Sequence, residues 1–82
     1  MDWTKVYNEI CINLERNNQH AYSDYLKEAF VLGATGGEIF DIAIYRLIEL
    51  TRKNLLKVDI DKVYKIVNYA ISIGYLNKDF KV

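Results

Sequence analysis

The sequence predicts an all-α fold, a compact bundle of four short helices over about 3–17, 20–32, 36–53 and 60–73. Every strong apolar periodicity in the chain steps by three and four residues, the spacing of one helix face. Residues that start and stop helices stand at the ends of those stripes. No alternating strand pattern competes, and the chain contains no proline. At 82 residues it is one domain, 1–82, with 51% hydrophobic residues for a single core and no room for a second.

The first helix follows from Trp3, Val6, Tyr7, Ile10, Cys11 and Leu14, which share a face, with Asp2 placed to cap it. The polar run Asn17-Asn18-Gln19-His20 reads as a turn. In the second helix Tyr22, Tyr25, Leu26, Ala29, Phe30 and Leu32 form the apolar side, while Ser23, Asp24, Lys27 and Glu28 form the other. Gly33 sits where a left-handed C-cap is wanted.

The third helix opens on Thr35-Gly36-Gly37-Glu38, which has the form of a capping box. Its apolar side chains, from Ile39 to Leu50, cover about half the circumference, so it is expected to be the central helix. Residues 54–58 link it to a fourth helix, capped by Asp59, faced by Ile60, Val63, Tyr64, Ile66, Val67, Ala70 and Ile71, and ended by Gly74. The apolar residues of the tail are expected to fold back onto the body.

Zero net charge, eleven basic against eleven acidic residues, removes a strong electrostatic prior for nucleic acid or anionic membrane. That zero is a cancellation. Residues 1–51 hold four basic side chains against eight carboxylates, a net of −4; residues 52–82 hold seven against three, a net of +4. A homodimer joined head to tail through these halves is one expectation, and pairing within the bundle is the other. One cysteine excludes an internal disulfide framework and fits a reducing compartment. No apolar run reaches the roughly 18 residues of a membrane span, and the opening MDWTKVYNE lacks the form of a signal peptide, so a cytoplasmic location is expected. Ile, Lys, Tyr and Asn make 32 of the 82 residues, a bias expected of an A/T-rich bacterial or phage genome.

Motifs for chemistry are thin. The Gly33–Gly37 loop has no preceding strand and no following Lys-Ser/Thr, so it reads as a turn and cap rather than a phosphate cradle. His20, Asp24 and Glu28 lie in one row on one helix, which does not surround a metal. Cys11 reads as a core thiol, and the carboxylate pairs Glu38/Asp41 and Asp59/Asp61 read as helix-start residues. No catalytic set, metal site or cofactor is expected.

Ala29, Gly33, Ile39 and Ile42 resemble the small-and-aliphatic framework of DNA-binding helix-turn-helix units. The helix that would read the bases, however, offers Glu38, Asp41 and Tyr45, and carboxylates there are repelled by phosphate. On the fourth helix Lys62, Lys65 and Tyr69 lie within about 60° of one another, opposite the apolar stripe, where they suit an acidic protein or a stacked base. Ile12 stands on the polar side of the first helix, beside Lys5, Asn8 and Arg16.

The expected function is therefore a small cytoplasmic protein-interaction module, a regulator, inhibitor or immunity-type partner. Its candidate partner surface is Lys62, Lys65, Tyr69 and Ile12. The alternative is a nucleic-acid-binding regulator using the 29–42 corner or the basic face of the fourth helix.

Overall fold

The computed structural model describes all 82 residues and is all-helical, with no strand. The helices are α1 (Trp3–Arg16), α2 (His20–Lys27) with its one-turn continuation α3 (Ala29–Leu32), α4 (Gly36–Arg52) and α5 (Ile60–Ser72). Trp3 of α1, Phe30 of α3, Phe40 of α4 and Tyr69 of α5 meet through stacked and edge-on rings at one end. At the other end the α1–α2 turn is bonded to the α4–α5 linker. The chain therefore runs up, down, up, down, as short connections between helices favour.

Local chemistry sets the boundaries. Asp2, Thr35 and Asp59 are the N-caps, and each side chain accepts a backbone N–H of the first turn. Three helices end in one pattern. Asn18, Asn54 and Gly74 take positive φ, and the residue after each donates its N–H back to the carbonyl of Leu14, Leu50 or Ala70. Glycine is needed for that conformation only at Gly74, since asparagine tolerates it at the other two.

Gly33 departs from expectation. Its φ is −81° and its ψ 136°, extended rather than left-handed. What requires glycine is space: a Cβ there would lie 2.7 Å from the Ile39 backbone nitrogen. The capping box is also displaced, because Glu38 accepts from the Ala34 N–H rather than reaching Thr35.

The core joins Tyr7, Ile10, Leu14, Leu26, Leu47 and Val63, all fully buried, with nine further apolar residues. Complete burial of an aliphatic side chain of this size contributes about 2 kcal/mol. The third helix of the sequence reading is not central as its apolar breadth suggests: α4 packs against α2, α3 and α5, but its backbone does not reach α1, which packs most extensively, on α2 and α5. The tail folds back, with Leu76, Phe80 and Val82 packed on the core. Arg52 holds it in place by lying 4.8 Å over the Phe80 ring and donating to the Lys81 carbonyl oxygen.

One apolar face differs from the reading of 20–32 as a continuous helix. The helical ladder is interrupted at Glu28, which keeps αR backbone angles, φ −59° and ψ −22°. Phe30 and Leu32 of that face stand exposed, as do Ile60 and Tyr64 of the α5 face, while Ser23, assigned to the polar side, is fully buried. Arg46 and Tyr7 secure the interruption: Arg46 donates to the Tyr25 carbonyl and Glu28 carboxylate and lies over the Tyr25 ring. The Tyr7 hydroxyl donates to the Leu26 carbonyl oxygen at 2.7 Å. Being buried, that phenol is held well above its ordinary pKa by desolvation.

Candidate functional site

The most unusual surface of the molecule lies at the tip of α3. Val31 and Leu32 are 82% and 54% exposed, and Phe30, with one ring face stacked on Trp3, still exposes 42% of its surface. Tyr45 of α4, 68% exposed, lies beside Leu32 in a shallow depression that also takes in Tyr25 and Ile42. Single exposed apolar residues are ordinary; a run joined to an aromatic on the next helix is a patch.

On its far side Tyr45 borders a larger groove of about 490 Å³. Ile44, Ile48 and Tyr45 of α4 form its floor, and Tyr75, Leu76 and Phe80 form the wall opposite. Asp41 and Tyr45 belong to both depressions, so patch and groove are continuous across the outer face of α4. The Tyr75 hydroxyl donates to the Gly37 carbonyl oxygen and its ring packs edge-on to Phe40 at 4.8 Å, which fixes that wall.

The electrostatics vary along the groove. Glu38 and Asp41 lie toward the α4 N-terminus, and Arg52 and Lys53 at its C-terminus. Glu49, between them, is engaged: it accepts the Tyr25 hydroxyl and pairs with Lys53 at 3.6 Å. The bond from Tyr25 holds its carboxyl below the usual range and raises the phenol in return. Asp41 enters none of the chain's four ion pairs.

The residues singled out from sequence are divided by the fold. Lys62 donates to Glu9 of α1 at 2.8 Å, which lowers the Glu9 pKa. Tyr69 is half-buried and packs edge-on to Phe40 rather than standing free opposite the apolar stripe. Lys65 and Ile12 are exposed, Ile12 at 38%. Glu28, in the row His20–Asp24–Glu28, is bonded to Arg46. Cys11 is buried beside Ser23, with its thiol pushed up to about 11 mainly by desolvation. In the 29–42 corner the close crossing of Gly33 and Ile39 is present, and the outer face of α4 there carries Glu38, Asp41 and Tyr45.

Sequence reasoning missed Leu32 and Tyr45 as a joint surface. The available signal was the Phe-Val-Leu run directly before Gly33, in which Val31 already falls outside the stripe. No helix is long and apolar enough to cross a membrane. No family model, curated protein or solved structure matches the chain.

Proposed function

We propose that this chain is a protein-interaction module that docks a partner protein on the patch of Phe30, Val31, Leu32 and Tyr45 and the groove beside it. The observation that carries the reading is the exposure of the α3 tip beside Tyr45. Val31 and Leu32 stand in solvent there, although burying them would favour the isolated chain. A partner that covers them recovers that free energy.

Two features favour protein over nucleic acid at this face. Its exposed aliphatic side chains offer a phosphate nothing, and Glu38 and Asp41 repel it. The buried free cysteine suits a reducing compartment, so the reading takes the cytoplasm as the place of action. Its role is binding, as a regulator or inhibitor, rather than catalysis.

Affinity capture with wild type and four variants tests this. Leu32→Ser and Tyr45→Ala abolish retention of a specific partner at unchanged helicity, whereas Lys65→Glu and Ile12→Ser keep it. Retention by the first two and loss by the second two would transfer the interaction to the faces of α5 and α1.

A further inference from the structure

We propose that the groove along α4 receives one amphipathic helix of the partner, about three turns long and antiparallel to α4; this rests on the docking reading above and gives it an occupant. Asp41, Tyr45, Ile48 and Arg52 follow one another at steps of four, three and four residues. At about 100° per residue they occupy a strip roughly 60° wide, and eleven residues of rise make it roughly 16 Å long. Leu32 borders one side of this strip and Tyr75, Leu76 and Phe80 the other. A groove with Ile44 and Ile48 between the Tyr45 ring and the wall of Tyr75, Leu76 and Phe80 matches a cylinder bearing one apolar stripe, the geometry of helix-in-groove recognition.

Charge sets the direction. The α4 N-terminal end of the strip is acidic through Asp41, with Glu38 one turn before it, and the other end is basic through Arg52 and Lys53. A helix is most stable with carboxylates in its first turn and cations in its last. Laid antiparallel, such a helix brings its basic last turn to Asp41 and its acidic first turn to Lys53. Laid parallel, it meets like charge at both ends. Asp41 is free of internal ion pairs, and Lys53 is 61% exposed with one weak surface pair.

The test uses the full chain, isotope-labelled, titrated with two stapled 14-residue peptides of identical composition and the same leucine stripe. One carries glutamates in the first turn and lysines in the last; the other has them exchanged, and the staple keeps both helical. The first peptide binds at least about tenfold more tightly and shifts the resonances of Tyr45, Ile48 and Tyr75. In Asp41→Lys/Lys53→Glu, whose side chains lie outside the core, the preference inverts. Equal affinity for the two peptides, binding of neither, or shifts centred on Lys65 and Tyr69 would overturn the proposal. So would a scattering mass of twice 9.6 kDa, which makes a second copy the occupant. Loss of the helix leaves the docking reading intact where Leu32→Ser still abolishes partner capture; capture by that variant removes the docking reading itself.

Discussion

Gly33 and Ile39 approach so closely that a Cβ at residue 33 would stand 2.6 Å from the Ile39 Cγ1 and 2.8 Å from its Cα. This contact sets the corner between α3 and α4, and with it the position of Leu32 beside Tyr45. Gly33→Ala therefore forces backbone apart and destabilises by about 1–3 kcal/mol, in the manner of an overpacked core. Gly36 is the control, since a Cβ there meets nothing within 4 Å. In the first turn of α4, Gly36→Ala is neutral or stabilising by up to about 1 kcal/mol. Urea midpoints of the two variants decide; equal losses would remove the close-approach explanation.

The opposite end of the bundle depends on Gln19. Its amide nitrogen donates to the Leu55 carbonyl oxygen at 2.7 Å, and its amide oxygen accepts from the Lys57 N–H at 2.8 Å. One side chain thus satisfies a carbonyl and an N–H of a linker that has no regular structure. Gln19→Ala loses about 1–2 kcal/mol in urea unfolding. Amide exchange at Lys57 accelerates by more than the global change, which a loss of helix propensity at residue 19 would not produce.

Two buried hydroxyls predict opposite outcomes. Tyr7 donates to Leu26, so Tyr7→Phe costs about 1 kcal/mol through the carbonyl left alone. Ser23 Oγ is buried with no well-formed hydrogen bond, only weaker approaches to the Cys11 thiol and the Glu15 carboxylate, so Ser23→Ala is neutral or stabilising by about 1 kcal/mol. Thermal midpoints that fall for both would show that Ser23 is hydrogen-bonded in solution.

Stability falls at both extremes of pH. Tyr7 and Tyr25 have folded pKa values raised above the ordinary 10.0, Tyr7 by burial and Tyr25 chiefly by its bond to Glu49. A raised pKa means stabilisation fully present below the unfolded value and lost as pH rises beyond it, so alkaline unfolding sets in above about pH 10. Glu9, Glu15 and Glu49 are lowered, by Lys62, Lys27 and Tyr25 respectively. Their contribution is present above the ordinary carboxylate value of 4.5 and lost as pH falls through the folded values. Circular dichroism across pH reads both limbs, and Tyr7→Phe shifts the alkaline limb upward.

Much of the fold is legible in the sequence because its signals are local. Asp2, Thr35 and Asp59 are read as caps from residue type and position alone, and they cap. Apolar stripes place Tyr7, Ile10 and Val63 in the core, where they lie. What escapes is what depends on two helices at once. The interruption at Glu28 is stabilised from α1 by Tyr7 and from α4 by Arg46, 18 and more residues away, so periodicity within 20–32 reads straight through it. The role of Gly33 is hidden likewise: a cap and a close approach call for the same residue.

The charge asymmetry follows the same logic. Two of the four ion pairs, Glu9–Lys62 and Glu49–Lys53, join the acidic and basic parts of the chain; Glu15–Lys27 and Glu28–Arg46 lie wholly within the acidic one. Folding thus cancels part of the polarity and leaves the remainder on the surface, Asp41 among it. The exposed pairs Glu15–Lys27 and Glu49–Lys53 each stabilise by less than about 1 kcal/mol, whereas Arg46 and Lys62 are more enclosed and tie helices together.

The claim that the α3 tip and the outer face of α4 form the working surface is tested most directly by site-specific photocrosslinking. A benzophenone side chain is placed at position 45 or 65, and each protein is irradiated in extract of the producing organism. A discrete adduct is expected from position 45, competed away by excess wild type and not by Leu32→Ser, with none from position 65. An adduct from position 65 alone would contradict it.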